Sequence, residues 1–392
     1  MGLVLDNVSR HVGGHVHLEN VSLTLERGSL NVLLGPTLSG KTSLMRLMAG
    51  LDAPSAGRVL VDGVDVTGRH VRERSVAMVY QQFINYPSLT VYENIASPLR
   101  VARRPKDEID RKVREAARLL KLAPYLERTP QQLSGGQQQR TAIARALVKE
   151  AQLVLLDEPL ANLDYKLREE LREELPKIFA ATGAVFVYAT TEPAEALLLR
   201  GNTATLWEGR LAQFGPTPDV YRRPANLTSA RVFSDPPLNT MRVHKRGLQI
   251  VLATGEHGPA RGVLAELPDD NYTIGFRADH LHLERPHADA VALSGVVAVS
   301  EITGSESFVH IDLPRTDGGA DRWVAVTRGV LEVEPGERID CFIDPRRLFV
   351  FGHDGRLAAA PPLVMAARGE GGRHGAHRPS IPGPQLYSEP EG

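Results

Sequence analysis

With 392 residues, the chain is longer than a single hydrophobic core usually serves, so at least two domains are expected. Its 46 basic and 47 acidic residues nearly cancel, which gives no support to electrostatic binding of nucleic acid, and its single cysteine, Cys341, excludes an intrachain disulfide and suits a reducing compartment. No apolar run approaches the ~18 residues of a membrane span and no signal peptide is legible at the N-terminus, so attachment to a membrane would need a partner.

Residues 3–30 alternate apolar and polar through Leu3, Leu5, Val8, Val16, Leu18, Val21, Leu23 and Leu25, which predicts antiparallel strands around a Gly13-Gly14 turn. His15 and His17 share a strand face. With no third ligand nearby, they are expected to be exposed side chains rather than a metal pair. The apolar run 32–34 leads into Gly35-Pro36-Thr37-Leu38-Ser39-Gly40-Lys41-Thr42, then Ser43, then Leu44, Met45, Leu47 and Met48 at helical spacing before Gly50. A strand, a glycine loop with the spacing G-x-x-x-x-G-K-[ST] and a helix predict a phosphate-binding loop. Backbone N–H groups of such a loop wrap a polyphosphate, and the helix N-terminus adds a positive dipole end. Lys41 can reach the terminal phosphates and Thr42 can offer a hydroxyl to Mg²⁺.

Asp62-Gly63 predicts a hairpin within 58–66. Residues 76–80 form a buried strand ending at Gln81, and a mostly helical stretch follows to about residue 150. Within it, Ile109, Val113, Ala116, Ala117 and Leu120 lie on one helical face. Leu133-Ser134-Gly135-Gly136-Gln137 places an N-cap, Ser134, before a helix that begins near Gly136, a second anion-ready helix end. The apolar run 153–156 ends in Asp157-Glu158, two carboxylates suited to Mg²⁺ and a water nucleophile. A charged helix over 165–181 and a strand over 184–189 complete an alternation that gives a mainly parallel, helix-covered sheet.

Past residue 230 the texture changes. Asp235-Pro236-Pro237 reads as a linker. Short alternating strands follow at 249–252, 272–276, 296–299, 308–313 and 348–351, which predict an all-β module of sandwich or small-barrel type. His280 and His282 are expected on its surface. Residues 366–392, nearly without large apolar side chains, are expected to be a disordered tail.

The phosphate-binding loop, Gln81, the Leu-Ser-Gly-Gly-Gln stretch and the acidic strand, in this order, resemble the ATP-binding subunit of an ABC transporter. Pro236-Pro237-Leu238-Asn239, Gly275 to Leu281, Pro335-Gly336 and Ile343-Asp344-Pro345 resemble the accessory domain of carbohydrate importers of the maltose type. The loop wording and Gln81-Gln82-Phe83-Ile84-Asn85-Tyr86-Pro87 look most like ATPase subunits of bacterial glycerol importers. The fold implied is an α/β P-loop ATPase domain with an antiparallel β subdomain and a helical insertion at about 85–150, spanning 1–232. An all-β, OB-like accessory domain at 233–362 and the tail 363–392 follow.

The resemblance implies ATP and Mg²⁺ as cofactors and a function in uptake of a small polyol or sugar, glycerol favoured. It assigns ATP contacts to Gly35, Pro36, Thr37, Leu38, Ser39, Gly40, Lys41, Thr42 and Ser43. Thr42, Gln81 and Asp157 would hold Mg²⁺, and Glu158 would polarise the attacking water. Ser134, Gly135, Gly136 and Gln137 would contact ATP held by an opposite subunit, and Asn162, Leu163 and Asp164 would cross that interface. Partners implied are a second ATP-binding subunit, two transmembrane permeases that dock around 83–91 and, indirectly, an extracytoplasmic substrate-binding protein. No nucleic acid is implied, and the location is the cytoplasmic face of the plasma membrane. A regulatory nucleotide-binding module with low turnover and a soluble, non-transport ABC ATPase are the competing expectations.

Three positions depart from the family pattern. Arg10-His11-Val12 lacks the aromatic residue that stacks on adenine, which weakens adenine binding or shifts it to His11. Leu38 stands where a glycine is usual, although Leu adopts φ > 0 only at a cost. Thr191 replaces the histidine that follows the last strand. It is too short to bridge phosphate and water, so it either leaves its own site slow or simply caps a helix begun by Pro193. A compromised own site beside an intact Ser134–Gln137 segment favours a heterodimer over a homodimer.

Overall fold

The computed structural model describes residues 2–82, 84–161 and 165–362. Expectations about Phe83, about Asn162, Leu163 and Asp164, and about the tail 363–392 lie outside the described residues. An N-terminal antiparallel sheet has the order β2-β1-β4-β5, from β1 (Leu3–Val12), β2 (His15–Leu25), β4 (Ala56–Val61) and β5 (Val64–Asp65). The turn between the first two pairs Val12 with His15, with Gly13 at φ 56° and Gly14 at φ 80°, a conformation that favours glycine. His15 and His17 are exposed.

A second sheet has the order β10-β9-β3-β8-β7-β6. Its strands are β3 (Leu30–Leu34), β6 (Val76–Val79), β7 (Leu153–Asp157), β8 (Val185–Thr190), β9 (Asn202–Trp207) and β10 (Arg210–Pro216). All neighbours are parallel except β10, which pairs antiparallel with β9. The helices are α1 (Lys41–Ala49), α2 (Val91–Val101), α3 (Lys106–Leu119), α4 (Gly135–Val148), α5 (Tyr165–Thr182), α6 (Pro193–Leu199), α7 (Thr217–Arg222) and α8 (Leu227–Val232).

Strand alternation splits the interior into two cores. Val32, Leu34, Val154, Leu156, Phe186 and Tyr188 pack with side chains of α2 to α5 on one face. Leu33, Leu153, Leu155, Val185 and Val187 pack with α1 and the N-terminal sheet on the other. The near-continuous apolar runs of β3, β7 and β8 follow from burial on both faces. The loop helix α1 and the Ser134 helix α4 therefore lie on opposite sides of one sheet.

The C-terminal part is two antiparallel sheets around a shared core. One holds Asn239–Arg246, Gln249–Leu252, His257–Pro259, Asn271–Phe276, Phe349–Phe351 and Leu357–Ala359. The other holds Leu281–His282, Val291–Ile302, Glu306–Pro314, Ala320–Arg328 and Arg338–Ile343. Trp323 meets Phe276 edge-on with ring centres 4.9 Å apart, and its indole N–H donates to Thr240 O at 3.0 Å.

Asp235-Pro236-Pro237 runs along the surface, with Asp235 and Pro237 exposed, and packing resumes at the next two residues. Leu238 is buried with Ala230, Phe349 and Phe351, and the Asn239 amide exchanges hydrogen bonds with the Val324 backbone at 2.8 and 2.9 Å. His280, by contrast, is not the surface residue expected. It is half-buried with Nδ1 lacking a hydrogen-bond partner among the described residues, and burial pushes its imidazole below the ordinary range. The reason is local: Ala278–His280 is a single tight helical turn, so strand alternation does not apply.

Residues 1–361 form one compact unit. Arg277 fastens it. Its guanidinium lies 3.7 Å from the Tyr221 ring centre and 5.1 Å from that of Phe349, and Nη2 donates to Tyr221 O at 2.6 Å. Arg277→Ala removes a desolvated cation–π contact and a charge-assisted hydrogen bond, and is expected to lower stability by about 2 kcal/mol. Thermal unfolding of the full chain checks this; an unchanged midpoint would remove Arg277 from the role.

Candidate functional site

The site forms where β3, β7 and β8 end. Gly35 begins the loop because nothing larger fits: a Cβ there would lie 2.4 Å from Leu206 O and 2.5 Å from Ser39 Oγ. Gly40 caps α1 at φ 101°, where a Cβ would approach Leu18 Cδ2 to 2.9 Å. Ser39 is 2% exposed, and its hydroxyl has no hydrogen-bond partner among the described residues. Pro36 and Thr37 are exposed and Ser43 is half-buried.

Lys41 folds back over the loop. Its Nζ donates to Gly35 O at 2.8 Å and Pro36 O at 3.0 Å, and lies 3.6 Å from Glu158 Oε1. Burial pushes the Lys41 ammonium below its ordinary range, opposed by the charges of Glu158 and Asp157. The Thr42 hydroxyl donates to Asp157 Oδ2 at 2.9 Å. Burial pushes the Asp157 carboxyl up, opposed by that hydrogen bond. Gln81 Nε2 donates to Glu158 Oε2 at 2.9 Å, so both carboxylate oxygens of Glu158 face the site. Glu158 sits at φ 45°, and its N–H donates to Ala189 O at 3.0 Å. Non-glycine residues at such φ values cost about 1–3 kcal/mol and cluster at active sites.

Leu38 does adopt the conformation that its side chain disfavours, φ 67°, and is 95% exposed. No aromatic residue stands at position 12. Val12 and His11 are exposed, and Arg10 turns away to Ala53 O at 2.8 Å and Asp52 at 3.3 Å. Thr191 is exposed and does not cap α6. The N-cap position is Glu192, whose N–H donates to the Thr190 hydroxyl at 3.0 Å. Residue 191 lies one step too early to cap.

Ser134 and Gln137 form a reciprocal cap on α4, which begins at Gly135, one residue before the expected start. The Ser134 hydroxyl accepts from the Gln137 N–H at 3.4 Å, and Gln137 Oε1 accepts from the Ser134 N–H at 3.0 Å. No hydrogen bond among the described residues joins this segment to 35–43. The fold gathers the loop, Gln81, Asp157 and Glu158, and leaves Ser134, Gly135, Gly136 and Gln137 elsewhere. Sequence reasoning missed the residues behind the site: Tyr188, Thr190, Glu195 and Arg172. The one available signal was a carboxylate, Glu195, at a helix position that proves 4% exposed.

The profile of the family described as ABC transporter matches residues 18–161, and that of the TOBE domain matches residues 274–351. The sn-glycerol-3-phosphate import ATP-binding protein UgpC of Brucella abortus (strain 2308) is 34% identical over 359 residues, which cover 90% of this chain and 98% of that protein. The alpha-glucoside transport ATP-binding protein AglK of Rhizobium meliloti (strain 1021) is 32% identical over 365 residues, covering 91% and 98%. Among solved structures, the dimeric post-hydrolysis state of the ATP-binding cassette MJ0796 bound to ADP and Pi is similar over 55% of this chain and 98% of that one, at 30% identity and a TM-score of 0.50. With the loop, the acidic pair and the capped Leu-Ser-Gly-Gly-Gln helix all in place, the chain belongs to the ABC transporter ATPases, ATP-hydrolysing subunits, in the form that carries a TOBE domain.

Proposed function

We propose that this chain energises import of a small polyol or sugar, glycerol favoured, from the cytoplasmic face of the plasma membrane. The observation that carries the reading is the convergence of Lys41, Thr42, Gln81, Asp157 and Glu158 at the C-terminal ends of parallel strands. The names of the relatives, which import sn-glycerol 3-phosphate and α-glucosides, support the cargo class. The loop backbone at 35–43 and Lys41 bind the ATP phosphates. Glu158 takes a proton from the attacking water, with Gln81 holding its carboxylate. The oxygens of Thr42, Gln81 and Asp157 fit a hard cation that keeps water and phosphate ligands; they would hold Mg²⁺, which supplies charge neutralisation at the β- and γ-phosphates when bound.

The Ser134 helix serves a neighbouring subunit, because α4 lies across the sheet from this chain's own loop. The domain limits 1–232 and 233–362 remain our division of one compact unit. Among the described residues no helix is long and apolar enough to cross a membrane. We assign attachment to two permease subunits that dock around 83–91, a stretch in which Ile84 and Tyr86 are exposed, with a substrate-binding protein acting through them.

The neighbouring ATPase is a different polypeptide in this reading. Thr191 leaves this chain's own site short of the expected imidazole, while its Ser134 segment is intact. The same Thr191 favours a second reading, a regulatory module with little turnover, which phosphate release by the assembly would exclude. Purification through this chain from its native membrane is expected to yield two permeases and one distinct second ATPase. A fully active assembly with two copies of this chain and no other ATPase would overturn the heterodimer.

A further inference from the structure

We infer that Glu195, clamped by Arg172 of α5, is a positioning residue that sets the end of β8 against the loop and Glu158. The inference rests on the functional reading above and deepens it. Glu195 is 4% exposed, and a buried carboxylate is costly unless its oxygens are hydrogen-bonded. Its Oε2 accepts from the Thr190 hydroxyl at 2.6 Å and the Tyr188 hydroxyl at 3.0 Å. Its Oε1 accepts from Arg172 Nη2 at 3.2 Å. Burial raises the Tyr188 phenol well above its ordinary range, so it is a permanent donor.

What this carboxylate holds is the backbone that holds the site. Thr190 O accepts from the Gly35 N–H at 3.4 Å, and Ala189 O accepts from the Glu158 N–H at 3.0 Å. The Thr190 hydroxyl, which donates to Glu195, also accepts from the Glu192 N–H at 3.0 Å, which fixes the turn carrying Thr191. Arg172 Nη2 also bonds Glu192 at 2.7 Å, and Arg168 bonds Glu192 at 3.2 Å and Ala161 O at 3.5 Å. The ladder thus ties α5 and the segment after Glu158 to the end of β8. None of these side chains touches the reacting atoms; they act through Gly35, Glu158 and residue 191.

The test uses the full chain in the assembly purified with it and Thr190→Val, which keeps shape and deletes the hydroxyl. Misplacing reacting groups lowers turnover more than binding, so kcat for hydrolysis of the ATP held by this chain's own loop, followed site by site in the assembly, is expected to fall about tenfold with KM for ATP at that loop within about twofold. Thr190→Ser should restore wild-type kcat, and Glu195→Gln should reproduce the loss if Thr190→Val folds poorly. Amide hydrogen exchange on the full chain alone gives a second readout. Exchange at Gly35 and Glu158 should rise in Thr190→Val while the strands after residue 239 stay unchanged. Wild-type kcat and exchange in both Thr190→Val and Glu195→Gln, or equal losses in Thr190→Val and Thr190→Ser, would overturn the inference. A wild-type assembly without phosphate release would instead remove the functional reading, and the exchange measurement would still decide the positioning role.

Discussion

Glu158→Gln is expected to retain ATP binding and to lose about a thousandfold in hydrolysis at the site it serves. The amide has nearly the same shape as the carboxylate and can still accept from Gln81 Nε2, now at 2.9 Å. It cannot take a proton from water, and it loses the charge that faces Lys41 at 3.6 Å. Backbone geometry is untouched, since the N–H of residue 158 still donates to Ala189 O. The strain at φ 45° also remains, so stability should change little. Radiolabelled ATP bound to this chain should stay intact in the variant over times in which the wild type converts it to ADP. Conversion at the wild-type rate would strip Glu158 of the base role.

Much of the site was legible because its signals are local. Gly35, Gly40, Lys41 and Thr42 are held at fixed offsets by one turn, and Ser134 and Gln137 cap a helix three residues apart. The all-β texture after residue 240 was legible for the same reason: alternation in each strand is a nearest-neighbour property. What escaped the sequence was non-local. Asp235-Pro236-Pro237 reads as a linker, and nothing in it signals that Asn239 just beyond bonds Val324, 85 positions away. Glu195 acquires its meaning only when α6 turns it toward Thr190 and α5 delivers Arg172 from 23 positions earlier. His280 was misjudged because one helical turn interrupts the strand pattern. Leu38 is the converse case: the conflict between its side chain and the loop backbone was visible in the sequence, and the fold accepts it by leaving the side chain in solvent.

Gly136→Asp separates folding from chemistry at the other half of the ATP site. Gly136 is the second residue of α4, where an acidic side chain complements the helix dipole and replaces a poor helix former. The variant should therefore fold at least as well as the wild type. The same carboxylate would sit where the helix end is to meet a phosphate, and like charges there oppose binding. Because α4 and α1 lie on opposite faces of the sheet, ATP binding to this chain's own loop should not change. The decisive measurement is phosphate release by the purified assembly carrying Gly136→Asp, beside nucleotide binding to the isolated chain. A composite site shared between subunits predicts release lowered at least about tenfold, roughly 1.4 kcal/mol in barrier, with binding to the isolated chain unchanged. Release at the wild-type rate would contradict it.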